Sequence, residues 1–176
     1  MHHPADHRVP VLIVGGSLVG LSTSLFLGRL GVRHLLVERH AGTSHHPRGR
    51  GNNVRTMELF RVAGIEPDIK AAASLLADNH GILQTPTLVA TPGSGCSGRS
   101  TRRRPEEVQP TAWCLCSQND LEPVLVDSAR ELGGDLRYHH EMESFEQDAD
   151  GVTAVVRDRS TDERYTVRAD YLVAAD

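Results

Sequence analysis

Aromatic side chains are scarce in this sequence, at 4% of its 176 residues. Single-stranded nucleic acid is gripped by stacking bases on such rings, so their scarcity argues against that class of partner. A basic excess is missing as well. The chain carries 19 Lys and Arg against 23 Asp and Glu, a net charge of -4, which argues against a general nucleic-acid binder. Cysteine is limited to Cys96, Cys114 and Cys116. An odd count without a second closely spaced pair supports neither a disulfide framework nor a cysteine metal centre. Cys114 and Cys116 face the same side if they sit on a strand, and they read as small buried thiols. No long unbroken apolar run is present. The stretch 9–30 comes nearest, and it is broken by glycines, by Ser22, Thr23 and Ser24, and by Arg29, so neither a membrane span nor a signal peptide is expected. A cytoplasmic protein follows as the expectation. The ten histidines are scattered and lack ligand spacing, so no metal site is expected. No Ser-His-Asp or Cys-His arrangement is visible, and no catalytic side chain is assigned.

What is present is concentrated between Val11 and Glu38. Val11 to Val14 form a short apolar run bounded by glycine, as a strand buried on both faces does. Gly15, Gly16, Ser17 and Gly20 make a turn. Leu18 to Leu30 reads as a helix, with Leu18, Leu21 and Leu25 on its apolar face and Val19, Phe26 and Leu30 widening it. Gly31 is placed to end that helix. Leu35 to Val37 form a second strand that ends at Glu38. A helix N-terminus presents free N–H groups and a positive dipole end, so this geometry holds a pyrophosphate without a side chain. Gly15 permits the tight turn and Gly20 lets helix and strand approach. Glu38, about 20 residues on, is placed to accept from ribose hydroxyls. The middle position of the G-x-G-x-x-G pattern is Ser17, whose hydroxyl could add a donor to the phosphate.

The remainder reads as an α/β chain. Residues 1–8 form a leader expected to be disordered. Residues 39–51 are a polar loop carrying Arg39, Arg48 and Arg50. Asn52 or Asn53 caps a helix to Ala63, with Val54, Met57, Leu59, Phe60 and Val62 as its apolar contacts, and a second helix covers 65–76. Residues 82–90 have strand character interrupted by Pro86. Residues 91–110 are rich in Gly, Ser and Pro, and the run Arg102 to Arg104 reads as solvated loop. A short strand spans 113–116. Ser117 or Asn119 caps a helix to Leu132, with Leu121, Leu125 and Ala129 inward. A strand covers 135–138, and the adjacent His139 and His140 point to opposite faces if they sit on a strand. An antiparallel meander runs through 142–146, 152–157 and 164–167, with Asp150-Gly151 at one turn. A separate apolar strand spans 171–175. The end at Asp176, just past a strand tip, suggests the first part of a longer enzyme.

Four motifs in order, VLIVGGSLVGL with Glu38-Arg39, PRGRGNNVRTMELFR, SQNDLEPVL and YLVAAD, resemble the FAD-dependent aromatic hydroxylases of the p-hydroxybenzoate hydroxylase-like group. The likeness is strongest to the bacterial polyketide and anthracycline-type hydroxylases. It implies a Rossmann-like FAD-binding βαβ core with an antiparallel β-meander, incomplete in this chain. It assigns 9–176 to the N-terminal part of an FAD-binding domain, with 77–116 toward the substrate-domain side. It implies that Gly15, Gly16, Ser17, Leu18, Val19 and Gly20 wrap the FAD pyrophosphate and that Glu38 holds the adenosine ribose. Arg39 would lie along the adenine, and Arg48 would reach the cofactor with its planar fork. Gln118 would contact the ribityl–phosphate region, and Asp176 matches the aspartate of an Asp-Gly motif. The implied reaction uses NAD(P)H, O2 and an aromatic substrate, through a C4a-hydroperoxyflavin, with the chain by itself inactive. Two other readings stand beside it: an NAD(P)-dependent oxidoreductase, and a truncated, non-catalytic dinucleotide-binding chain.

Overall fold

A computed structural model describes residues 5–46, 48–73 and 111–175. The features expected at 82–90 and 91–110, Cys96 and Asp176 lie outside the described residues. The chain divides into two compact units, residues 1–49 with 117–176, and residues 50–116.

The first unit is built on one six-stranded sheet. Its elements are β1 (His7–Val14), α1 (Leu18–Arg29), β2 (His34–Glu38), and later α4 (Gln118–Glu131), β5 (Asp135–Tyr138), β6 (His140–Asp148), β7 (Gly151–Asp158) and β8 (Arg164–Ala174). Strand order is β5-β2-β1-β8-β7-β6. The β5, β2, β1 and β8 strands run parallel, and β8, β7 and β6 continue as an antiparallel meander. The expected α/β class, with a βαβ core and a meander, is the architecture found. The two parts share a single sheet because β8 serves both.

That strand corrects one expectation. Residues 164–167 and 171–175 were expected as two strands, but Arg164–Ala174 is continuous over 11 residues. Its first half pairs antiparallel with β7 while its length from Val167 to Ala174 pairs parallel with β1. No Gly or Pro interrupts the stretch between them, so nothing there forces the backbone out of the ladder. A second correction falls at the start. His7 and Arg8, assigned to a disordered leader, pair with Val167 and Arg168. Thr166 also donates its N–H to the Asp6 carboxylate at 2.7 Å. The expected strand at 135–138 is β5, and His139 adopts φ 64° between β5 and β6.

The core follows the strand alternation. Leu12, Leu35 and Val37 join Ala154, Val156, Val167 and Ala169 on one face of the sheet. Ile13 points the other way, toward α1, where Leu21 and Leu25 are also fully buried. The α1 helix packs against α4, which buries Leu121, Leu125 and Ala129 as its spacing predicts. Val19 and Leu30 were expected to widen the buried face of α1. They are 63% and 77% exposed, because the face toward the sheet is narrower and runs through Gly20, Leu21, Ser24 and Leu25. A buried Ser24–His34 hydrogen bond of 2.6 Å ties α1 to β2.

The second unit contains β3 (Gly51–Asn52), α2 (Val54–Ala63), α3 (Glu66–Ala72) and β4 (Cys114–Leu115). Asn53 caps α2 by accepting from the Thr56 N–H at 2.8 Å. Met57 and Phe60 are buried, whereas Leu59 and Val62, expected as apolar contacts, are 40% and 69% exposed. The β3 and β4 strands pair antiparallel, and Cys114 and Cys116 are both buried and in no disulfide. Burial pushes the Cys114 thiol above its ordinary value, the direction of an inert rather than a reactive cysteine. Among the described residues no helix is long and apolar enough to cross a membrane, and no group of His, Cys, Asp and Glu is arranged to hold a metal ion.

Candidate cofactor-binding site

The site lies in the first unit, where the parallel strands end. Gly15 follows β1 directly and adopts φ 109°, a conformation that L side chains rarely tolerate. Its N–H donates to the Val37 carbonyl at 2.9 Å, so the turn is tied to β2 as it leaves β1. Ser17 is the N-cap of α1, and the Leu21 N–H to the Ser17 carbonyl, at 2.9 Å, is a first-turn bond of that helix. Amides earlier in an α-helix have no intrahelical acceptor, and those of Leu18 and Val19 stand at this end.

Around this helix end is a cleft of about 310 Å³, lined by Gly15, Gly16, Ser17, Leu18, Val19, Glu38, Arg48, Gln118 and Ala175. That volume is at the low end of the roughly 300–1,000 Å³ typical of ligand sites. Eight of the eleven residues expected at the site therefore stand together here, brought from four separate stretches of sequence. Gly20 stands behind the cleft, packed on Gly15 and Ile13. Arg39 does not line the cleft. It is exposed, and its carbonyl accepts from Arg159 Nη1 at 2.8 Å. Asp176 is outside the described residues, while its neighbour Ala175 lines the cleft and donates its N–H to the Val14 carbonyl at 2.8 Å.

Glu38 is 8% exposed at the tip of β2. Its Oε2 accepts from the Gly16 N–H at 2.7 Å, and its Oε1 accepts from the His40 N–H at 2.8 Å and contacts His40 Nδ1 at 2.6 Å. Burial pushes this carboxyl up, but the N–H groups of His40 and Gly16 and the His40 ring outweigh burial and hold it below the ordinary value. The folded value thus lies below the unfolded one. The stabilisation is complete above the ordinary carboxylate range and is lost as pH falls through the lowered folded value. Denaturant unfolding at a series of pH values should show stability falling with acid over that window. In Glu38→Gln the fall should be smaller, and an unchanged pH profile would show that Glu38 carries none of it.

Beside Glu38 in register stands Tyr138, whose hydroxyl is pushed up to about 12 by burial and then by the Glu122 and Glu38 charges. Among the described residues its buried oxygen has no hydrogen-bond partner. It stays neutral, a donor without an acceptor.

One residue that braces the site from behind the cleft is assigned no role by the sequence. Glu122 is fully buried. Its Oε1 accepts from Ser17 Oγ at 2.6 Å and from Gln118 Nε2 at 2.7 Å, and its Oε2 accepts from the Ser44 N–H at 2.7 Å. Gln118 Nε2 also donates to Ser17 Oγ at 3.0 Å. The available signal was its spacing: Glu122 follows Gln118 by four residues and shares its face of α4. Sequence could not show that Ser17 and Ser44 arrive at the same point. The Ser17 hydroxyl, expected to add a donor toward the phosphate, turns instead to Glu122.

The arrangement suits the pyrophosphate and ribose of a dinucleotide. Leu18 and Val19 line the cleft at the open end of α1, and Arg48 and the Glu38 carboxylate line it with them. A Cβ on Gly16 would come within 2.8 Å of Glu38 Cβ, so the cradle has no room for a larger residue there. Comparison with known proteins agrees in kind. Residues 8–176 match the family described as an FAD binding domain. A Streptomyces coelicolor protein provisionally named polyketide hydroxylase is 66% identical over 97% of this chain, which covers 27% of that protein. Aklavinone 12-hydroxylase DnrF of Streptomyces peucetius is 44% identical over 96% of this chain, covering 35% of its own length. The crystal structure of the flavin-dependent monooxygenase PieE, in complex with FAD and substrate, superposes with a TM-score of 0.79 at 39% identity, over 98% of this chain and 31% of that one. The chain thus spans about a third of the length of the relatives it matches.

Proposed function

Since the chain belongs to the FAD binding domain family, we propose that it forms the adenosine–pyrophosphate cradle of an FAD-dependent monooxygenase that hydroxylates an aromatic, polyketide-like substrate. The observation that carries this reading is the cleft itself. It joins the open end of α1 to Glu38, Arg48 and Gln118 within one unit. The similarity to polyketide hydroxylases supports the substrate class.

Each residue has a task in this reading. The amides of Leu18 and Val19 bind the pyrophosphate with the positive end of the α1 dipole. Arg48 pairs with its oxygens through a planar fork. Glu38 accepts from the adenosine ribose. Gln118 is held by Glu122 and Ser17, which aims one side chain of the wall. Bound FAD, reduced by NAD(P)H, supplies the oxygen chemistry, so no side chain of this chain needs to act as nucleophile. The chain's own work is binding and orientation.

An absorption spectrum after incubation with FAD and gel filtration tests this on the protein that contains the chain. A retained flavin band is expected, together with NAD(P)H oxidation that rises with an aromatic polyketide. Retention of a nicotinamide dinucleotide without flavin would return the simple oxidoreductase reading. Retention of neither would leave a non-catalytic chain.

A further inference from the structure

A serine at a helix N-cap ordinarily folds back to accept from the helix's own first-turn amides. Ser17 occupies that position on α1, with extended backbone at φ -95° and ψ -166°, and yet makes no side-chain cap bond. The reason lies 105 residues away. Its hydroxyl donates to Glu122 Oε1 at 2.6 Å and accepts from Gln118 Nε2 at 3.0 Å. Both the donor and an acceptor site of the hydroxyl are thereby engaged, away from α1.

We propose that Glu122 is a positioning residue that draws the Ser17 hydroxyl off the first turn of α1 and keeps that turn's amides open to the cofactor's phosphates. The inference rests on the FAD reading given above and extends it to a residue buried behind the cleft. Ser17 takes the middle place of the glycine pattern, where a hydroxyl within reach of the amides competes with the ligand. Removing that competition needs a partner stronger than a backbone N–H, and a carboxylate supplies it because charge-assisted hydrogen bonds are the stronger ones. A carboxylate is also acceptor-only, so the Ser17 hydroxyl has to donate toward it. An amide at this place could turn and present a donor instead. The second carboxylate oxygen accepts from the Ser44 N–H at 2.7 Å, which fixes the group's own orientation. Full burial leaves Glu122 no water as an alternative partner.

The test is a double-mutant cycle on FAD affinity in the protein that contains this chain, read by quenching of flavin fluorescence. Glu122→Ala is compared in two backgrounds, with Ser17 intact and with Ser17→Ala. With the hydroxyl present, losing Glu122 should weaken FAD binding by about five- to tenfold, the scale of a competing helix cap. With the hydroxyl absent there is nothing to divert, and the further loss should shrink to about twofold. A purely structural Glu122 costs the same in both backgrounds, and that result overturns the proposal. Thermal unfolding without FAD identifies any variant that does not fold. Should Glu122→Ala be one, the cycle is run with Glu122→Gln, which keeps the shape and loses the obligatory acceptor, and the same sign is expected. A parent protein that retains no FAD overturns the cofactor reading and this inference together. A parent that retains FAD with equal losses in both backgrounds overturns this inference alone.

Discussion

Gly20→Ala should cost the protein about 2–4 kcal/mol of stability and abolish flavin retention, although alanine is the better helix former. Local preference points the other way, since alanine is favoured over glycine in a helix by about 1 kcal/mol. Packing decides the outcome. A Cβ on Gly20 would fall on the Gly15 carbonyl oxygen, and would lie 3.0 Å from the Gly15 carbonyl carbon and 3.4 Å from Ile13 Cγ2. The first two are backbone atoms of the turn that opens the cleft, so no rotamer change relieves the contact. The α1 helix has to lift from β1, and the amides at its N-terminus move with it. Gly42→Ala is the matched control, because a Cβ there meets nothing within 4 Å. Its effect should stay within about 0.5 kcal/mol. Denaturant unfolding and the flavin spectrum of both variants give the answer. A Gly20→Ala protein as stable as its parent would show that helix and strand are not in close contact.

Glu38→Ala should weaken FAD binding by about 10–100-fold, corresponding to roughly 1–3 kcal/mol for hydrogen-bonding groups left unpaired in a buried site. An ionised carboxylate offers about four lone-pair sites. Three contacts are already present, two at Oε1 from His40 and one at Oε2 from Gly16. One site on Oε2 therefore remains for a ribose hydroxyl. The same arrangement makes Glu38 a brace for the turn, so alanine also leaves the Gly16 N–H without its acceptor beside the phosphate position. Glu38→Gln separates the two duties. It keeps a neutral acceptor for one partner and should fall between the parent and alanine. Titration of each variant with FAD, alongside its unfolding without FAD, distinguishes lost ligand contacts from a loosened turn. Affinity unchanged in Glu38→Ala would take Glu38 out of the site.

Both predictions concern residues whose importance is readable from sequence, and the reason is local. A buried strand, a glycine turn, an amphipathic helix and a second strand are each specified by neighbours within a few residues. So are the α4 face of Leu121, Leu125 and Ala129 and the turn at Asp150-Gly151. Arg48 and Gln118 came from motif resemblance rather than from periodicity. The structure brings both to the cleft, and it leaves Arg39 outside the lining.

By itself, the sequence determined the βαβ core, the glycine turn at the start of α1 and the acid at the end of β2, because these depend on period and turn chemistry. The fold decided what depends on distant partners. It made residues 164–174 one strand, since pairing with both β1 and β7 rewards continuity that hydrophobic pattern alone does not reveal. It narrowed the buried face of α1, because contact with the sheet, and not the count of apolar residues, sets which side chains leave water. It also gave Glu122 its partners. A buried carboxylate must be satisfied by donors, and here they come from positions 17, 44 and 118, which only the folded chain brings to one point.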